Sequence, residues 1–163
     1  MDKVNLYNKE LLEARKKSLA SFSDMNHRLE SLGFFDGTEW INDSKATDLE
    51  STHYALSLFK QPIIWIVESS DLDRDYSIFE MLARYSIETI VCYGEYETNI
   101  KYTLGGIVSN YAHKNTLEEA VLLAKNFSKE NNVVLFSPAC PTNESYSSYK
   151  ERGEAYSRLV LNL

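Results

Sequence analysis

From Trp40 to Asp48 the chain reads Trp-Ile-Asn-Asp-Ser-Lys-Ala-Thr-Asp. Asn42, Asp43, Ser44, Lys45 and Thr47 bring an amide, a carboxylate, two hydroxyls and an ammonium into six consecutive positions. Trp40 and Ile41 end an apolar strand, and the residues after Thr47 open an amphipathic helix that runs to about Phe59. A strand-to-helix turn of this kind lies at the carboxyl edge of a sheet, where α/β proteins bind ligands. Unbonded N–H groups and a partial positive charge at the helix start suit an anion. Lysine adds a mobile point charge for phosphate or carboxylate. The same residues would also serve as an Asp or Ser N-cap beside a solvated lysine, and the spacing alone does not choose between the two.

Two more polar segments follow apolar runs. Ser137-Pro138-Ala139-Cys140-Pro141-Thr142-Asn143 leaves the run Asn132–Phe136, and its Thr and Asn could cap a helix or meet a ligand. With no base placed beside it, Cys140 reads as a packed thiol. Val67 is followed by Glu68-Ser69-Ser70-Asp71-Leu72-Asp73-Arg74, where Glu68, Asp71 and Asp73 crowd a loop that ends on one arginine. No Gly-x-x-x-x-Gly-Lys-Ser/Thr segment is present, and no Lys-Ser/Thr follows the one glycine pair, Gly105-Gly106. Nothing in the chain cradles a triphosphate by backbone alone.

The elements that must hold these segments alternate. Residues 28–41 form a hairpin about the turn Asp36-Gly37. Pro62–Val67 is a continuous apolar run, as in strands buried on both faces. A helix over 75–85 precedes a strand over 88–94 and a short helix near 95–103. Ile107-Val108 is a brief strand candidate. A helix over 116–129 starts at Thr116-Leu117-Glu118-Glu119, close to a capping box. Asn132–Phe136 is the last strand, and a helix from about Ser145 closes the chain. Strands alternating with helices imply right-handed βαβ crossovers and a mostly parallel sheet. Upstream, residues 3–20 form a helix with Val4, Leu11, Leu12 and Leu19 on its apolar side and Arg15-Lys16-Lys17 on its wet side.

Composition narrows the class. A chain of 163 residues fits one domain. No stretch of about 18 apolar residues could span a membrane, and the polar N-terminus argues against a signal peptide. Cys92 and Cys140 are too far apart for a thiol metal site and fit a reducing cytoplasm. A net charge of -7 opposes general nucleic-acid binding. The 11 tyrosines follow no repeat and read as amphipathic cover for core and rim.

Asn42-Asp43-Ser44-Lys45-Ala46-Thr47 after a strand resembles the motif that opens the C-terminal domain of the Mur ligases, cytoplasmic enzymes that build the peptidoglycan stem peptide. Leu135–Cys140, then Tyr149, then Glu151-Arg152-Gly153-Glu154-Ala155-Tyr156 resemble that domain's end, and Asn26-His27-Arg28-Leu29-Glu30 its beginning. The likeness runs from about Ser21 to Val160 and is greatest to the D-glutamate-adding branch. It implies a Rossmann-like three-layer α/β domain with a mostly parallel sheet of about six strands and an antiparallel edge hairpin. Residues 1–25 would be a preceding helix and linker, and 26–163 the amino-acid-binding C-terminal domain. The partners implied are the N-terminal and central domains of the same ligase, with neither nucleic acid nor membrane. The central domain would supply the phosphate loop and metal ligands and hold most of the ATP and Mg²⁺. The reaction implied adds D-glutamate to UDP-N-acetylmuramoyl-L-alanine through an acyl-phosphate, with the isolated domain inactive.

The resemblance also implies roles. Arg28 would reach the ATP phosphates and Asp43 the ribose. Lys45 would act on the phosphates or the incoming carboxylate as the catalytic charge, with Thr47 on the amino acid. Thr142 and Asn143 stand where the family binds the D-glutamate carboxylate, and Tyr149 where an aromatic closes over it. Thr142 replaces the usual serine and Tyr149 the usual phenylalanine, and Pro141 stiffens the turn. After the second strand the family carries a glycine pair and a basic residue for the glutamate side chain. Here the glycines are gone and Leu72 holds the basic position, with Arg74 as a candidate stand-in. Two other readings stay open: another amino-acid substrate on the same scaffold, and a non-catalytic α/β ligand-binding or interaction module.

Overall fold

The computed structural model describes residues 27–69, 74–96 and 99–163. The helix and linker expected over 1–25, with the basic run Arg15-Lys16-Lys17, lie outside the described residues, as do Asn26 and Leu72. Six strands, β1 (Glu30–Phe35), β2 (Thr38–Asn42), β3 (Ile63–Glu68), β4 (Ile87–Tyr93), β5 (Asn110–Lys114) and β6 (Val133–Phe136), form one sheet in the order β1-β2-β6-β3-β4-β5. β1 and β2 are the antiparallel hairpin, and the other pairings are parallel. Asp36 and Gly37 turn the hairpin with φ of 51° and 76°. Two left-handed residues in a row match the twist of the flanking strands, which is why an Asp-Gly pair signals this turn.

The helices among the described residues are α1 (Leu49–Ser57), α2 (Glu80–Tyr85), α3 (Asn99–Leu104), α4 (Leu117–Phe127) and α5 (Tyr149–Leu161). The expected capping box at Thr116 is present, with Glu119 as its reciprocal partner. The helix expected over 75–85 is a 3-10 turn, Tyr76–Phe79, running into α2. Two expectations shift. Ile107-Val108 is not a strand: both N–H groups bond back to the Leu104 carbonyl and close α3, so the edge strand starts only at Asn110. The last helix begins at Tyr149, where the Ser148 side chain accepts the Glu151 N–H.

Period-two alternation splits the sheet into two cores. Ile63, Trp65 and Val67 of β3 pack with Leu56, Phe79, Ile100 and Leu104 on one face. Ile64 and Ile66 pack with Val121, Ala124, Tyr156 and Val160 on the other. Both sides of β3 are dry, and each of these Val, Leu and Ile side chains contributes about 1.5–3 kcal/mol of burial. The carboxyl ends of β2, β6 and β3 lie side by side, with Phe136 level with Asn42 on one flank and Ile66 on the other. That register brings the three polar segments singled out in the sequence to one edge.

Candidate functional site

The opening turn is locked from both directions. The Asp43 N–H donates to the Phe136 carbonyl at 2.8 Å, the Lys45 N–H to His27 at 2.9 Å, and the Ala139 N–H to Ala46 at 3.1 Å. The α1 N-cap is Asp48, whose carboxylate accepts the Ser51 N–H at 2.7 Å. Asp43 and Ser44 therefore do not cap, and the chain's own carboxylate takes the helix start that the sequence offered to an anion.

Alternation continues past the strand ends and sends neighbouring polar side chains to opposite faces. Asp43 turns toward the α1 layer and is only 3% exposed. One of its oxygens accepts the Leu29 N–H at 3.2 Å and the other the Ser137 hydroxyl at 2.8 Å. Ser137 Oγ lies 3.0 Å from Thr52 Oγ1. Burial raises the Asp43 pKa to about 6, against the pull of these two hydrogen bonds and of the Arg28 charge.

On the α5 face stands a second nest. Glu68, the last residue of β3, shares the face of Ile64 and Ile66 and is 1% exposed. Its Oε2 accepts Arg152 Nη1 at 2.7 Å and the Tyr93 hydroxyl at 2.9 Å, and its Oε1 accepts the Asn143 amide at 2.8 Å. Arg152 is fully buried and places all five of its N–H donors. Besides Glu68 it reaches the Ser44 carbonyl at 2.9 Å, the Ser44 hydroxyl at 3.2 Å, and the Cys140 carbonyl twice at 3.1 Å. One guanidinium thus joins the opening turn, the end of β3 and the turn after β6. Asn42 adds a second tie to α5, donating to the Gly153 carbonyl and Ser157 hydroxyl at 2.9 Å each. Its amide nitrogen also lies 3.0 Å from His27 Nδ1.

The candidate residues fall into two groups. Arg28, Asp43, Lys45, Thr47 and Tyr149 gather on or beside the opening turn: Lys45 Nζ sits 5.6 Å from the centre of the Tyr149 ring, and Ser44 Oγ donates to the Tyr149 carbonyl at 2.8 Å. Arg28 is exposed, and its charge is felt at Asp43. Thr142 and Asn143 instead line a cavity of about 940 Å³ bounded by the ends of β3 and β4, the start of α4 and the turn after β6. Arg74 donates through Nη1 to the Ala139 carbonyl. It therefore braces that turn and does not line the cavity. Among the described residues the cavity carries Glu68, Glu95 and Glu144 but no lysine or arginine.

Glu68 and Arg152 are the site residues that the sequence reading missed. The sequence places Glu68 with Asp71 and Asp73 in a crowded acidic loop, but Glu68 ends β3 and pairs with Arg152. The signal was available: Arg152, Tyr156 and Val160 recur every fourth residue on the buried stripe of α5. An arginine on such a stripe needs a buried acceptor. Cys140 is buried, and desolvation together with the Glu68 charge pushes its thiol up to about 12, so it stays protonated at neutral pH and is no nucleophile.

Curated proteins resemble this chain over most of its length. The chain is 35% identical over 148 residues to a UDP-N-acetylmuramoylalanine–D-glutamate ligase of Salinibacter ruber, covering 91% of this chain and 32% of that protein. It is 34% identical over 146 residues to the ligase of the same name from Cytophaga hutchinsonii, covering 90% and 32%. A third, from Porphyromonas gingivalis, is 34% identical over 151 residues, covering 93% and 34%. The chain thus spans about a third of the length of the curated relatives it matches, in their C-terminal portion. Among solved structures, a murein peptide ligase from Psychrobacter arcticus superposes with a TM-score of 0.54 at 12% identity, over 84% of this chain and 30% of that one, a likeness of fold. No protein-family model matches the sequence.

Proposed function

We propose that this chain, which belongs to the Mur ligase family, is the amino-acid-binding C-terminal domain of an ATP-dependent ligase that couples D-glutamate to UDP-N-acetylmuramoyl-L-alanine in the cytoplasm. The observation that carries the reading is the meeting of Lys45 with Tyr149 across the opening turn. The resemblance assigns this ammonium to the phosphates or the incoming carboxylate and this aromatic to the incoming amino acid, and the two lie far apart in sequence. ATP supplies the activation that turns a carboxylate into an acyl-phosphate. In this chain, Lys45 offsets negative charge at the phosphates or the amino acid's carboxylate, and Arg28 does so at the rim. Thr47, Thr142 and Asn143 orient the amino acid so that its amine faces the acyl carbon, and that positioning is where the rate gain arises. Among the described residues no three His, Cys, Asp or Glu side chains gather to hold a metal. The resemblance places the ligands of Mg²⁺ in the central domain.

One observation favours a second reading, a different amino acid on the same scaffold: the cavity has acidic residues and no described cation on its walls. A γ-carboxylate entering a closing site needs a positive partner, and Arg74 could provide one by leaving Ala139. Steady-state kinetics of the full-length ligase separate the two readings. With D-glutamate as substrate, Arg74→Ala is expected to raise the D-glutamate Michaelis constant at least about tenfold, the value of one charged hydrogen bond, and to leave the ATP constant nearly unchanged. An unaltered D-glutamate constant removes Arg74 from the site. Turnover with another amino acid but not with D-glutamate establishes the second reading.

A further inference from the structure

After the second strand, where the family carries a glycine pair, this chain has Glu68-Ser69-Ser70, and Glu68 contacts Asn143 on the cavity rim directly and the opening turn through Arg152. We infer that Glu68 is a positioning residue for the incoming amino acid, acting through Asn143. The inference rests on the ligase reading above.

The geometry is specific. Asn143 lies on the exposed rim of the cavity, yet its amide is held at 2.8 Å by a carboxylate that is itself 1% exposed. The Asn143 carbonyl oxygen accepts the Ser145 N–H at 2.9 Å. With one amide hydrogen and the carbonyl both engaged, the side chain has one orientation, and its second amide hydrogen is left for a ligand carboxylate. Glu68 can hold this orientation because its other oxygen is fixed by Arg152 and Tyr93. The same guanidinium fixes Ser44, the residue before Lys45, and Cys140, two residues before Thr142. Glu68 therefore sets the distance between the cation on the opening turn and the amide on the cavity rim.

The test compares wild-type full-length ligase with Glu68→Gln, Asn143→Ala and the double variant. Phosphate release is measured with the amino acid varied at saturating ATP, over D-glutamate and a panel of other amino acids. Asn143 is exposed, so its variant keeps the proposal testable if Glu68→Gln fails to fold. Each single variant is expected to raise the Michaelis constant of the amino acid used by about tenfold, as for the loss of one charge-assisted contact. The ATP constant is expected to hold, and the double variant to be no worse than the weaker single. Normal amino-acid constants in Asn143→Ala, or multiplying effects in the double variant, overturn the positioning role. A wild-type enzyme that uses no amino acid overturns the ligase reading, and the role of Glu68 with it.

Discussion

Two carboxylates sit at the same sheet edge, equally deep, and the protein treats them in opposite ways. Asp43, on the α1 face, has only neutral partners in direct contact: the Leu29 N–H and the Ser137 hydroxyl. Glu68, on the α5 face, has a buried guanidinium. Burial outweighs two neutral hydrogen bonds and the charge of the exposed Arg28 and leaves Asp43 holding its proton to about pH 6, whereas the Glu68 nest is an ion pair with its donors and acceptors satisfied. The contrast separates two uses of buried polarity. The Asp43 nest can change state with pH or with an approaching cation such as Arg28. The Glu68 nest is a fixed cross-link between loops.

The contrast is broken most severely at Arg152. Arg152→Met leaves Glu68 buried without its cation and strips the acceptors on Ser44 and Cys140. The expected loss is about 3–5 kcal/mol, the usual cost of removing one partner of a buried pair, read from denaturant unfolding of the chain. A loss below about 1 kcal/mol, the level of an exposed pair, would show that the nest is not a cross-link.

Asp43 should give a smaller, pH-dependent effect of defined sign. Its folded pKa of about 6 lies above the ordinary 3.8. Between those values the folded state holds more protons than the unfolded state. Stability therefore falls as pH rises from about 4 to about 6, then levels off. The drop is on the order of 3 kcal/mol at one site. Asp43→Asn should abolish that slope, and unfolding curves across the range that keep the slope in the variant would assign it elsewhere.

The smallest effect lies at the joint between the nests. A Cβ on Gly153 would stand 2.5 Å from His27 Nδ1, so Gly153→Ala should cost about 1–3 kcal/mol by overpacking. His27→Ala in the same chain should relieve most of that cost. Equal destabilisation with or without His27 would place the strain elsewhere.

Much of the fold was legible because its signals are local. Asp36-Gly37 gave the hairpin, Thr116 and Glu119 the α4 cap, and the apolar run 62–67 the central strand. Ile107-Val108 misled because two apolar residues after a helix look the same whether their N–H groups enter a sheet or close the helix. The opening turn was visible as a cluster, but the direction of each side chain was not. That direction depends on β6 inserting between β2 and β3, an order that no local pattern encodes. Asp43 meets Ser137 across 94 positions and Glu68 meets Arg152 across 84, so both nests became readable only once the strand order was known. Leu72, the sharpest departure from the family pattern, falls outside the described residues, and it is the kinetics of Arg74 that address it.

The central claim is that the opening turn handles negative charge in a ligation reaction, and Lys45 tests it most directly. In the full-length ligase, Lys45→Ala is expected to lower the rate of amino-acid-dependent phosphate release by a factor of about ten to a thousand. The unfolding midpoint should stay unchanged, because the lysine is only half-buried. An unchanged rate with normal D-glutamate and ATP constants would contradict the claim and leave Lys45 as a surface lysine stacked on Tyr149.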